Sequence, residues 1–425
     1  MSQRVPVEKK VMVLGDTPEA GRVAHDLLSL GYLVHWVSFE DTPIRTSFAN
    51  SARDNQSREA ELAKLADPRL AFYGDCNLVA LEGDVGQFTA RLRRDGEMLS
   101  LDAAALVVAT GNERYYPAER YKLSLSSNVL TVSQIQRQLD AVRGAGAALP
   151  HRHERILVML DLGGETAKET ATETLLLAIR LREEWRGEVY AFYQNLKVDT
   201  PGYERLTREM REKGVVFCRY AEPQITVDEK GIAVAYVEGT VRGELLVLPE
   251  AVRPRQGTAE LAALLRVRVG EDGYFQDINI HHYRPGLSVR KGIHFAGRCH
   301  LDVAGDEALS DAALAAANID ALLGEGFLEP EAVIAHVDSY KCIRCLTCIR
   351  TCPHAAVELA DYQAVTDGDG LPVRSAVTAA RVVDLACRGC GACLANCPVR
   401  AIELVGQQLP AWMLAKDNPQ EISQP

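Results

Sequence analysis

The sequence predicts an α/β protein in which two Rossmann-like lobes are followed by a small ferredoxin-like α+β domain. Three observations carry this expectation. Two cysteine runs near the C-terminal end share the spacing C-x2-C-x2-C-x3-C-P. The first forty residues pass through a strand, a glycine turn, a helix and a second strand, as a βαβ unit does. A second stretch of alternating β and α pattern follows a linker rich in Gly, Ala, Pro and His.

The cysteine runs are the firmest signal. Cys342, Cys345, Cys348 and Cys352 precede Pro353, and Cys387, Cys390, Cys393 and Cys397 precede Pro398. In two-cluster ferredoxins the fourth Cys of each run reaches the other 4Fe–4S cluster. Cys342, Cys345, Cys348 and Cys397 are therefore expected to hold one cluster, and Cys387, Cys390, Cys393 and Cys352 the other. Zinc knuckles show paired CxxC motifs or His partners rather than a third Cys on the same turn. A disulfide framework would need an oxidising compartment. Cys76, Cys218 and Cys299 stand alone in the sequence.

Composition sets the bounds. The chain has 425 residues, is 47% hydrophobic and 25% charged, and carries a net charge of −11. That acidity argues against nucleic acid as a partner, because phosphate binding needs a basic face. The polar start, Met1 to Lys10, has no apolar core of a leader, and no stretch approaches the eighteen or so apolar residues that cross a bilayer. The expectation is a cytoplasmic protein without direct membrane insertion, which leaves open attachment to a membrane complex through partners.

Val11–Gly15 reads as a buried strand and its turn, Glu19–Leu30 as an amphipathic helix ended by Gly31, and Tyr32–Val37 as the second strand. Against the dinucleotide fingerprint G-x-G-x-x-G the three positions are Gly15, Thr17 and Ala20. Ala is tolerated at the third, but the second Gly exists so that backbone can approach a pyrophosphate, and Thr17 obstructs it. Ser38 stands where an acidic residue would hold a ribose. Pro43 to Leu65 is polar and helix-prone. Leu70–Tyr73, Asn77–Gly83 and Gln87–Leu92 read as an antiparallel layer, and Ala105–Gly111 as a buried strand ending in Ala109-Thr110-Gly111.

Beyond the linker at Ala145–Arg155, Ile156–Leu160, Glu188–Tyr193 and Val215–Tyr220 read as strands. Thr172–Glu184 and Gly202–Lys213 read as the helices between them. The turn Asp161–Thr166 lacks nucleotide spacing, so NAD(P)H binding is not expected there. Ile232–Val237 and Glu244–Leu248 close this lobe, and Thr258–Leu265 is helical. Gly292–Gly297 is a strand and turn, ending in Ala296 and Gly297, before the helix Ala308–Leu323. Asp361–Val377 looks like a hairpin turning at Asp367–Gly370, and Gln407–Pro425 is a polar tail anchored by Trp412 and Met413. The domain plan is 1–149 for the first part of a first, FAD-type lobe, 150–250 for an inserted second lobe and 251–332 for the return of the first. Residues 333–406 form the two-cluster domain and 407–425 the tail.

With these segments in order, notably Tyr190–Lys197, Gly202–Leu206, Gly214–Tyr220, Gly273–Phe275 and Gly292–Gly297 ahead of a two-cluster ferredoxin, the chain resembles the A subunit of heterodisulfide reductase. It is similar as well to that subunit's shorter relatives, including flavoprotein subunits of quinone-interacting membrane-bound oxidoreductase. The resemblance implies a two-lobe flavoprotein body that binds FAD and an electron-transfer role in a multi-subunit redox complex of an anaerobe. Cysteine-rich B/C-like subunits or iron–sulfur proteins are the partners it implies. For FAD contacts it implies Gly15, Thr17, Ala20, Ala109, Thr110, Gly111, Ala296 and Gly297. Three departures stand against it. Met159–Gly164 occupies a middle-lobe position without the expected Cys motif, the phosphate loop is altered at Thr17 and Ala20, and Pro43–Ser47 replaces an expected Gly-Gly pair.

Two readings of function follow. In one, a flavin exchanges electrons with partners through two 4Fe–4S clusters. In the other, the body has no flavin and serves as an iron–sulfur wire and docking scaffold. No catalytic acid–base pair stands out: His281, His282, His294, His300 and His354 read as surface or core residues, and Cys299 as a small buried side chain.

Overall fold

In a computed structural model the described residues are 4–41, 67–145, 154–185, 187–196, 199–278, 285–363, 365–366, 372–374 and 376–406. The expected helical stretch at 43–65, the linker residues 146–153, His281 and His282, the turn at 367–370 and the tail lie outside them.

The first lobe is built on a five-stranded parallel sheet in the order Ile293–Phe295, Ala105–Val108, Lys10–Leu14, Leu33–Val37, Leu70–Tyr73. Its central strands are unbroken apolar runs because both faces are covered, as parallel sheets require. Val11, Met12, Val13, Leu14 and Leu106 are fully buried. The helix Pro18–Ser29 buries Ala20, Val23, Ala24 and Leu27. Against it packs Gly305–Leu323, whose Ala308, Ala312, Ala315 and Ala316 let the two helix backbones approach closely.

A three-stranded antiparallel layer, Asn77–Glu82, Phe88–Arg94 and Glu97–Ala103, lies beside this sheet. Leu70–Tyr73, read from sequence as part of that layer, instead extends the parallel sheet, with Val34 opposite Leu70 and Val37 opposite Tyr73. Local alternation marks a strand without naming its neighbour, and this one completes the open edge beside Leu33–Val37.

The second lobe is a parallel sheet in the order Val129–Thr131, Leu245–Leu248, Arg155–Met159, Glu188–Tyr193, Val216–Arg219. It therefore opens at Val129, upstream of the expected boundary at residue 150, because Val129–Thr131 pairs with Leu246–Leu248. The chain leaves and re-enters the first lobe along one antiparallel ribbon, Asn112–Tyr115 against Ala251–Pro254.

In the C-terminal domain Val333–Val337 pairs with Ile402–Gly406, and Val357–Tyr362 with Val377–Val382. Inside the hairpin expected over Asp361–Val377, Val365–Thr366 pairs with Pro372–Arg374, and the last two strands named continue it outward. Short helices at Thr347–Thr351 and Ala392–Ala395 carry the middle of each cysteine run. The domain is seated on the first lobe: His354 donates from Nδ1 to the Val289 carbonyl at 2.8 Å, and Leu385 packs against the first lobe's core. Among the described residues no helix is long and apolar enough to cross a membrane.

Candidate functional site

Each half of the cysteine motif repeats the other at the level of backbone. Arg344 and Gly389, two residues after the first Cys of each run, both have positive φ, at 58° and 62°. Leu346 and Gly391 match at 61° and 75°, and Ala355 and Arg400 at 53° and 50°. A left-handed residue at these points folds the loop back around the thiols. The second run uses Gly at two of the three positions, whereas the first places Arg and Leu there, at a conformational cost of order 1 kcal/mol each. A Cβ at Gly389 would lie 2.4 Å from the Val333 carbonyl oxygen, so only Gly fits that position.

The fold brings the eight thiols into two groups. Cys342, Cys345, Cys348 and Cys397 line one small pocket, closed by Val337, Leu359 and Ile402. Cys352, Cys387, Cys390 and Cys393 line another, together with His354 and Arg388. Each group takes three cysteines from one run and the last from the other. Backbone amides are directed at the sulfurs: Ala401 donates to Cys397 at 3.2 Å, Ala356 to Cys352 and Ala335 to Cys387 at 3.4 Å. Burial raises the thiol pKa of Cys348, Cys352 and Cys393, the last to about 11, so ligation there would release protons. Thiolates around one zinc ion, with Zn–S near 2.3 Å, would lie about 3.8 Å apart. No three His, Cys, Asp or Glu side chains among the described residues are placed to hold a single ion. Each pocket is lined by four cysteines, the donor set that a 4Fe–4S cluster takes.

The second group faces the body. His354 and Arg388 on its wall approach the first lobe, where His294 is buried and its pKa is pushed down to about 4 by burial first and then by the Arg388 charge. Each group keeps one thiol at the surface: Cys345 of the first and Cys390 of the second are exposed.

The dinucleotide loop assembles where the sequence placed it, but its own side chains fill it. Gly15, Ala109, Thr110 and Gly111 meet at the ends of adjacent strands. A Cβ at Gly15 would lie 2.1 Å from the Ala109 carbonyl oxygen, so packing alone accounts for that glycine. Thr17 caps the helix, accepting from Ala20 N–H at 3.3 Å and donating to the Ala109 carbonyl at 2.8 Å. Its methyl occupies the space over Gly111, where a Cβ would come within 2.8 Å of it, and Glu19 fills the space over Gly297 at 2.5 Å. Pro18 removes a donor from the helix N-terminus.

Charge closes the site further. Asp16 and Glu19 are buried at this terminus, and Asp16 Oδ2 and Glu19 Oε2 have no partner among the described residues. Asp16 pairs with Arg255, and Glu19 with Arg298. Arg298 Nε also lies 3.3 Å from Glu169 of the second lobe, and Arg114 on the connecting ribbon binds Glu169 and Glu173. This ion-pair chain runs through the seam between the lobes. A pyrophosphate would meet two carboxylates where it needs free N–H groups and a helix dipole. A cleft of about 300 Å³ lined by Phe39, Asn77, Leu78, Thr110, Arg255 and Leu261 remains beside the loop, with Arg255 held to Asp16 on its wall. The residues present do not fit a flavin dinucleotide.

The second lobe uses its first turn in the same way. Asp161 accepts from the Gln194 and Asn195 amides at 2.8 and 3.0 Å and from Tyr220 at 2.8 Å. Arg120 binds the carbonyls of Gly163 and Glu165 across the turn.

Two buried groups near the seam were not legible as a pair. His300 lies between Asp277 at 3.1 Å and Asp311 at 2.9 Å, and Asp311 also accepts from Gly297 N–H at 2.7 Å. Burial lowers the imidazole pKa, but the two carboxylates outweigh it and hold it at about 9. Cys299 donates weakly to the Val108 and Ala296 carbonyls, and burial pushes its pKa far up, as for an inert core thiol.

Residues 334–404 match the 4Fe-4S dicluster domain family. The chain is 27% identical over 295 residues to the second CoB–CoM heterodisulfide reductase iron-sulfur A subunit of Methanopyrus kandleri, covering 63% of this chain and 44% of that protein. It is 24% identical over 311 residues to a protein of Archaeoglobus profundus described as like the heterodisulfide reductase A subunit, with the same coverage, 63% and 44%. The chain thus spans less than half the length of these curated relatives. By structure it is similar to the T. acidophilum thioredoxin reductase, with a TM-score of 0.50, 13% identity and coverage of 74% of this chain and 99% of that one. LpdA from Mycobacterium tuberculosis gives a TM-score of 0.50 at 15% identity, covering 83% and 82%. The fold is that of two-domain flavoprotein disulfide reductases with a ferredoxin-like domain added, and the sequence resemblance is to heterodisulfide reductase A subunits.

Proposed function

We propose, from this similarity to heterodisulfide reductase A subunits, that the chain is an electron-transfer subunit of a redox complex whose body holds partners rather than a flavin. The single observation that carries the reading is the crossing of the two cysteine runs into two four-thiol pockets inside a domain that matches a dicluster family. Cys342, Cys345, Cys348 and Cys397 would hold one 4Fe–4S cluster, and Cys387, Cys390, Cys393 and Cys352 the other. Bound there, such clusters supply one-electron redox chemistry at potentials set by hydrogen bonds to sulfur and by burial.

The chain's own residues do the rest. The amides of Ala335, Ala356 and Ala401 are aimed at ligand sulfurs and favour the more negative, reduced state. Val337, Ala380 and Ile402 give the first pocket apolar walls. His354 ties the second pocket to the body, fixing its distance from any partner that docks there. Likeness of fold favours a flavin-bearing reading, but Thr17, Asp16 and Glu19 oppose it at the atoms a pyrophosphate would touch. Protein purified anaerobically and reduced with dithionite should give the electron paramagnetic resonance of two interacting 4Fe–4S centres. Cys345→Ser and Cys390→Ser should each remove or alter one of them. A spectrum without iron–sulfur signals from fully metallated protein overturns the proposal.

A further inference from the structure

We propose that the pole of the C-terminal domain around Cys342, Cys345, Cys348 and Cys397 is the docking face for an acidic one-electron carrier protein. This deepens the electron-transfer reading and rests on it. The chain as a whole has a net charge of −11, yet residues 339–356 and 385–402 contain Lys341, Arg344, Arg350, Arg388 and Arg400 and no Asp or Glu. The arginines at 344, 350 and 400 are exposed, and their side chains make no ion pair with a described residue. Of the carboxylates nearby, Asp338 pairs with Lys341 at 3.2 Å and offsets that charge, Glu358 holds Arg381, and Glu403 lies 3.9 Å from His336.

The same part of the domain exposes apolar side chains. Ile343, Leu359 and Val399 are 58%, 47% and 36% exposed, and all three border the pocket that the four thiols line. Exposed large apolar side chains accompanied by exposed arginines have the composition of an interface. Beside it runs an open groove of about 970 Å³ whose walls carry Lys341, Arg381 and Arg400 together with Asp338, Asp384 and Glu403. The other thiol group shares its pocket with His354, which bonds to Val289 of the first lobe, although its Cys390 is exposed as well. Unpaired surface arginines speed encounter with an oppositely charged protein and fix its orientation more than they add affinity. The transfer itself is of one electron to the partner's oxidised centre, with no bond made or broken.

The test uses the full chain, purified anaerobically and reduced with dithionite, and follows its reoxidation in stopped flow. The acceptors are an acidic flavodoxin, basic horse cytochrome c and a small uncharged quinone. With flavodoxin the rate should fall tenfold or more between about 20 and 300 mM salt, where the screening length drops from over 20 Å to under 6 Å. Arg350→Glu should slow it severalfold at low salt, within the range of electrostatic steering, while Arg350→Gln slows it less. The quinone rate and iron content should not change. Equal salt response with flavodoxin and cytochrome c, or no effect of charge reversal, overturns the proposal while leaving electron transfer to the quinone intact. Failure to reoxidise with any acceptor instead sinks the underlying electron-transfer reading. Sedimentation in which the wild type dimerises and the Glu variant does not, or loss of the effect on removing residues 407–425, assigns the face to a second copy or to that segment and overturns it too.

Discussion

Arg298→Leu probes the ion-pair chain that fills the nucleotide loop. Arg298 is held between Glu19 of the first lobe and Glu169 of the second, both buried. The local chain has four carboxylates, Asp16, Glu19, Glu169 and Glu173, against three guanidinium groups, Arg114, Arg255 and Arg298. Removing one guanidinium leaves Glu19 without a cation, whereas Glu169 keeps Arg114. Breaking a buried pair by deleting one partner costs about 3–5 kcal/mol, and the retained Arg114–Glu169 pair points to the lower end, about 3 kcal/mol. For a lobe of this size that lowers the melting temperature by roughly 6–12 °C. Trp36 is fully buried in the first sheet and donates to the Gly15 carbonyl at 2.8 Å, so its fluorescence reports this lobe. Glu19→Gln/Arg298→Leu should recover part of the loss, because the uncompensated charge goes with it. The pKa of Glu169 is held below the ordinary carboxylate value: burial raises it, but the Arg114 and Arg298 charges outweigh burial. Its stabilisation is present above the unfolded pKa and lost as pH falls, so the variant should also unfold at higher pH on acidification. A loss under about 1 kcal/mol, or a wild-type melting temperature raised by added FAD, refutes the filled-loop reasoning.

Further expectations concern single groups. His300 has a folded pKa near 9, above its unfolded value, so the stability it contributes is complete below about pH 6.5 and lost as pH rises through 9. That is on the order of 3 kcal/mol, and urea titrations from pH 6.5 to 10 should show a steeper decline for wild type than for His300→Gln; parallel curves contradict it. Gly389→Ala would push a Cβ to 2.4 Å from the Val333 carbonyl, and should lower iron content and cost about 2 kcal/mol or more. The matching position in the first run already bears Arg344, so Arg344→Ala should leave iron content unchanged by colorimetric assay. Gly15→Ala, with its Cβ 2.1 Å from the Ala109 carbonyl, should unfold the first lobe in circular dichroism although no ligand is involved.

Where the sequence was legible, one short segment held the whole signal. Cys342 to Pro398 announces its two four-Cys runs because spacing within each is local, and the crossing between them follows the two-cluster ferredoxin pattern. The strands Lys10–Leu14 and Ala105–Val108 declared themselves by unbroken apolar runs, as buried parallel strands do. What required three dimensions was the company each residue keeps. Leu70–Tyr73 looked like its antiparallel neighbours and joined the other sheet, and Val129–Thr131 was too short to signal that it opens the second lobe. Thr17 was visible as an obstruction in sequence. Glu19, Arg298 and Glu169 were not, since their partners lie up to 279 residues apart. An acidic residue in a helix's first turn is ordinary by itself, and only its burial against Arg298 shows the loop to be closed.

The most direct measurement is the cofactor content of the full chain purified anaerobically: iron, acid-labile sulfide and acid-released flavin assayed on one sample. The expected result is about eight iron and eight sulfide per chain, as two 4Fe–4S clusters require, with flavin far below one per chain and no rise after incubation with FAD. Stoichiometric flavin would contradict the reading of Asp16, Thr17 and Glu19 as a filled site.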